Sequence, residues 1–128
     1  MGSLFLTGVL VWGLTFFLPA EEFTLTKPEG AAAWTGIALL CLFTGYWEEG
    51  LFRVYFLTIC GRAGIKTLVA VLSSSLVFAF CHSYEGIPGI VNAGVAGILL
   101  SIIYLKTGSY HGPALAHALY NILAYILA

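Results

Sequence analysis

Charge is what this sequence has least of. Lysine and arginine number 5, aspartate and glutamate 6, so 9% of the 128 residues are charged. An ordinary soluble domain carries roughly 25%. With 60% hydrophobic residues and a mean hydropathy of +0.98, a soluble fold could not cover its surface. Those figures exclude a water-soluble globule and leave a multi-span membrane protein. The net charge of −1 gives no electrostatic case for nucleic acid.

Other absences narrow the reading further. Cys41, Cys60 and Cys81 lie in separate apolar runs, with no CxxC or metal-type spacing, and read as buried free thiols. Cys81 abuts His82, but helix neighbours point about 100° apart, which argues against a Cys–His dyad. No HExxH zinc motif is present. Without an internal repeat, the usual inverted-repeat transporter architectures lose their signature. The first apolar run lacks the basic n-region of a secretory signal and reads as a span.

What is present is a series of apolar runs at residues 4–18, 31–60, 66–82, 89–105 and 110–128. Most approach the roughly 17–25 residues that a membrane helix needs. In lipid the backbone must satisfy itself, so such runs are helices rather than strands. The expected fold is an all-α polytopic bundle of about five transmembrane helices in one membrane domain, residues 1–128. Residues 1–30 would form a span and polar loop, and 31–128 the core. The segments 19–30, 61–66, 83–88 and 106–109 supply the Gly, Pro and charge expected of turns.

If the N-terminus shares a side with 61–66 and 106–109, that side holds Arg62, Lys66 and Lys106. The other side holds Lys27 beside Glu21, Glu22, Glu29 and Glu85. The positive-inside rule then puts the N-terminus in the cytoplasm and the C-terminus outside. Gly89, Ala93 and Gly97 recur every fourth residue, as do Ala114 and Ala118, and read as close-packing stripes. Asn92, Ser73, Ser74 and Ser75 read as interhelical hydrogen-bonding groups rather than catalysts.

The scarce charge is concentrated in one place. In "GYWEEGLFR", residues 45–53, two carboxylates and an arginine fall within six positions. Ionisable groups at bilayer depth cost roughly 2.5–3.5 kcal/mol each, so the bundle interior or a wet cavity must hold them. Glu49 and Arg53 are i,i+4 with the acid first, the favourable order for an ion pair. Glu48 points elsewhere, without a local partner. A carboxylate left free in a poorly solvated cavity suits a general base. Phe78 and His82 repeat the i,i+4 spacing, and so do His117 and Asn121. A His and an Asn on one face suit hydrogen bonding to a substrate carbonyl or its oxyanion.

These three ordered motifs, Glu48-Glu49-x-x-x-Arg53, Phe78-x-x-x-His82 and His117-x-x-x-Asn121, resemble those of the CPBP intramembrane proteases. That family embraces the CAAX prenyl endopeptidases and the bacteriocin-processing or immunity proteins. The likeness runs from about Tyr46 to Asn121. It implies an intramembrane endopeptidase of a prokaryotic cell membrane, with membrane lipid and a peptide or protein tail as partners. Glu48 and His82 would activate water, and His117 and Asn121 would hold the oxyanion. Glu49, Arg53 and Phe78 would support them, with no cofactor and no metal. The chain has one span before the motif helix, fewer than larger members have. His111 falls outside the motifs and reads as an interfacial residue at a helix entrance.

Two rivals stand beside that reading. Glu48, His82 and His117 could form a His₂Glu zinc set. A protease-like core could also bind a peptide without cutting it, as an immunity protein would. Depth is a further problem. Glu48 lies about 25 Å along a helix beginning at Ala31, and His117 about 10 Å into its own. The two meet only if the second helix begins outside the membrane or the spans are tilted or unequal.

Overall fold

The computed structural model describes residues 25–128. The first apolar run, 4–18, and Glu21 and Glu22 lie outside the described residues. The rest is helical. A long helix is built from α1 (Gly30–Glu49), a π-helical segment (Gly50–Phe56) and α2 (Leu57–Arg62). Three more follow: α3 (Thr67–Cys81), α4 (Gly86–Thr107) and α5 (His111–Leu127), with a 3₁₀ turn at Ser83–Glu85. These are four of the five expected helices, and all share the expected class.

Each boundary has a local cause. The Arg62–Thr67 turn passes through Gly64 at φ +73°, and α4 ends at Gly108 at φ +66°, left-handed conformations that side chains other than glycine resist. At Gly108 the backbone N–H returns to the Tyr104 carbonyl at 2.9 Å. Pro88 falls in the first turn of α4, where its missing N–H costs nothing, so the helix starts earlier than the expected turn at 83–88.

Short connections make successive helices antiparallel. Arg62, Lys66 and Lys106 therefore gather at one end of the bundle. Lys27 and Glu85 lie at the other, where Lys27 Nζ donates to the Ile126 carbonyl at 3.0 Å. The closest pairings are α1 with α5 and α3 with α4. Small residues permit both. A Cβ on Gly45 would stand 2.6 Å from the Ala114 carbonyl oxygen and 3.2 Å from Ala118 Cβ. One on Gly97 would stand 3.1 Å from Ser75 Cα. The stripes at 89/93/97 and 114/118 are buried and serve packing, as their spacing suggested.

Among the described residues, charged and polar side chains are enclosed within the bundle while many large apolar ones face outward. Glu49, Arg53, Ser74 and Ser101 are fully enclosed, while Leu39, Phe43, Leu68, Leu76, Ile87 and Leu99 face outward. Two helices are long and apolar enough to cross a membrane, Gly30–Arg62 and Ser83–Thr107, and Thr67–Cys81 is a shorter apolar helix. Only 11% of the apolar window of Gly30–Arg62 is buried in protein. Water would penalise that exposure, whereas hydrocarbon accepts it.

Candidate active site

The long helix resolves the depth problem. Its 33 residues span about 50 Å, well beyond a hydrocarbon core of roughly 30 Å, so it must tilt or project. Glu48 then lies near its middle, opposite α5 at the Gly45–Ala118 crossing. The π-helical segment begins immediately afterwards. Such segments re-aim side chains and recur at functional sites. Here the segment carries Arg53 inward and leaves the Phe52 carbonyl accepting from Ser74 Oγ at 2.9 Å.

Behind the helix lies a closed charge network. Arg53 Nε stands 2.9 Å from Glu49 Oε2, and both side chains are fully buried. The N–H is not aligned with that oxygen, so the attraction is Coulombic rather than a hydrogen bond. Arg53 Nη2 donates to the Gly97 carbonyl at 3.3 Å. The guanidinium also lies 4.8 Å from the Phe78 ring centroid, within cation–π range. Phe78 is thereby more than packing. Its ring meets Arg53 on one side and the rings of His82 (4.6 Å) and His117 (5.7 Å) on others.

His117 joins this network, a link that sequence spacing could not reveal because 68 residues separate it from Glu49. Its Nδ1 donates to Glu49 Oε1 at 2.9 Å, and its Nε2 lies 3.6 Å from Glu48 Oε2. The latter is beyond hydrogen-bond length. Glu48 Oε2 is buried and has no hydrogen-bond partner among the described residues. The side chain as a whole is 26% exposed, so the remainder opens outward.

It opens into a groove of about 790 Å³. Glu48 from α1, His82 from the end of α3 and Asn121 from α5 all line it, with Tyr84, Glu85, Asn92 and Tyr120 completing the polar lining. Its apolar walls include Leu40, Pro88 and Ala124. Helix α1 contributes Cys41, Thr44 and Glu48 as one stripe. His117 sits beneath the lining, screened by Glu48. His82 Nδ1 donates to the Phe78 carbonyl at 2.9 Å. A carbonyl only accepts, so that bond fixes the tautomer and leaves Nε2 with its lone pair.

The remaining polar residues sort themselves. Asn92 Nδ2 donates to the Tyr120 hydroxyl at 2.7 Å, and Ser74 bonds across helices, both as expected. Ser75 Oγ does not, having no partner among the described residues. His111 Nδ1 shares a hydrogen bond with the Tyr46 hydroxyl at 3.2 Å at the exposed entrance of α5. Cys81 packs against Phe52, Phe78 and Ala93 rather than joining His82. Among the described residues, no three His, Cys, Asp or Glu side chains stand at a spacing that could hold a metal ion. Sequence spacing had also passed over Tyr84 and Glu85, although they follow His82 by two and three positions on the same turn.

A family model, type II CAAX prenyl endopeptidase Rce1-like, matches residues 30–123. No curated protein and no solved structure matches the chain.

Proposed function

The chain belongs to the type II CAAX prenyl endopeptidase Rce1-like family, which is a family of peptide hydrolases, and on that premise we propose a mechanism of intramembrane endoproteolysis. Glu48 and His82 activate a water molecule against a peptide bond lying in the groove. Glu48 takes a proton from the water as it attacks the scissile carbonyl. His82 Nε2, whose lone pair is kept free by the Nδ1 bond to Phe78, orients that water. Asn121 donates its amide N–H to the oxyanion. His117 assists through Nε2, which donates only when the ring carries its second proton, because Nδ1 is committed to Glu49. Collapse of the tetrahedral intermediate passes the Glu48 proton to the departing amine.

The observation that carries this reading is the convergence of Glu48, His82 and Asn121, from three helices, on one groove, with His117 3.6 Å behind Glu48. The substrate is a membrane-associated peptide or protein tail, and the family's name points to prenylated tails first. In this reading Glu48 and His82 activate the water without a metal. The bundle sits in a prokaryotic cell membrane with the Arg62, Lys66 and Lys106 end in the cytoplasm and the C-terminus outside.

Purified protein should cleave a farnesylated tail peptide in detergent, contain no stoichiometric metal and keep its activity after strong chelation. One tightly held zinc, with activity lost on chelation and restored by zinc, would replace this mechanism with the metal-dependent one. Tight binding of the peptide without cleavage would identify a peptide-binding protein instead.

A further inference from the structure

The groove is electrically one-sided. Glu48 and Glu85 line it, and among the described residues no lysine or arginine does. The chain's 5 basic residues are placed elsewhere. Arg53 is sealed in the core, Lys27 donates to the Ile126 carbonyl, and Arg62, Lys66 and Lys106 lie at the far end of the bundle.

Glu85 is not consumed by the fold. It occupies the N-cap position of α4 but makes no side-chain capping hydrogen bond there. It has no ion-pair partner among the described residues. Its side chain lies instead across Gly89, where an added Cβ would collide with Glu85 Cβ and come within 2.9 Å of Oε2. Tyr84 precedes it on the same 3₁₀ turn. Glu85 is thus held against the groove wall, with its charge facing the space where a substrate would lie.

We propose that Glu85 is a specificity-determining residue that selects peptides carrying a lysine or arginine a few positions from the cleaved bond. The inference rests on the endopeptidase reading above. A 3₁₀ turn rises about 2 Å per residue, so Glu85 lies roughly 6 Å from His82 along the turn. An extended peptide advances about 3.3 Å per residue, and a lysine side chain adds reach. The selected position is therefore about two to four residues from the scissile bond. A lysine ammonium lying in the groove finds its counter-charge in Glu85, the carboxylate nearest that end of the groove. An acidic substrate residue would meet two carboxylates and no cation.

The test uses matched tail peptides with lysine, norleucine or glutamate at each position within four residues of the scissile bond. At the best position, wild-type protein should favour lysine over norleucine about tenfold in kcat/KM, glutamate being poorest. The lysine-to-norleucine ratio should fall to near one in Glu85→Gln, and Glu85→Lys should favour glutamate. A wild-type ratio near one at every position overturns the proposal, as does a ratio that survives Glu85→Gln. Binding of the same peptides to Glu48→Gln protein reads selectivity without turnover. A protein that cleaves nothing yet binds the lysine peptide about tenfold tighter, losing that preference with Glu85→Gln, refutes the endopeptidase reading and leaves Glu85's role standing.

Discussion

Glu48 and Glu49 are neighbours in the chain and occupy opposite kinds of environment. Glu49 faces a sealed interior in which Arg53 and His117 each engage one of its oxygens. Glu48 faces a groove, with one oxygen turned toward His117 and no hydrogen bond made to it by any described residue. A helix rotates about 100° per residue, which suffices to put one carboxylate in each region. The difference is between a carboxylate enclosed with a counter-charge and one left open to a groove, which is why the proposed mechanism gives the chemistry to Glu48. His117 touches both, so the sealed network orients a ring that stands 3.6 Å behind Glu48.

The comparison breaks most visibly at Glu48. Glu48→Gln keeps shape and removes the base, so specific activity per folded molecule should fall about 10²–10⁴-fold. The melting temperature should hardly move. Cleavage at the wild-type rate, with Glu49→Gln folded but dead, would reverse the two roles.

Glu49→Gln should show the complementary pattern. Stranding a buried arginine costs about 3–5 kcal/mol, read as lower yield and an earlier thermal transition. The glutamine amide oxygen can still accept from His117, so activity per folded molecule should fall far less than in Glu48→Gln. Replacing both partners, Glu49→Met with Arg53→Met, should recover part of the stability. No recovery in the double variant would mean that the pair does more than cancel charge.

The smallest effect tests the seam between the regions. At Gly45, a methyl group would press on the Ala114 carbonyl oxygen, which cannot swing aside as a side chain can. Gly45→Ala should therefore cost about 1–3 kcal/mol of stability by overpacking. Because α5 carries both His117 and Asn121, some loss of activity per folded molecule should accompany it. A stability loss with full activity would show that the site tolerates movement of α5.

Much of this was legible in the chain. Hydropathy alone fixes the helical class, because lipid offers the backbone no other partners. The i,i+4 spacing sets the Glu49–Arg53 pair apart from Glu48, since both members share one helix face. The same spacing pairs Phe78 with His82, whose tilted ring lies 4.6 Å from it and whose Nδ1 reaches its carbonyl. Local geometry is dictated by helical period, and period is written in sequence.

Contacts between helices were decided only by tertiary packing. Nothing local states that His117 would bridge Glu49 and Glu48 or that Arg53 would find the Gly97 carbonyl. Nor could spacing show that Glu85 would lie across Gly89 beside the groove. The π-helical segment at Gly50–Phe56 has no sequence signature, yet it carries Arg53 into the core. The sequence by itself determined that the charges within the spans, Glu48, Glu49 and Arg53, must face the interior or a wet cavity, because lipid excludes them. Which groups from other helices would meet those carboxylates depended on where α5 crossed α1, and the missing side chain at Gly45 permits that crossing.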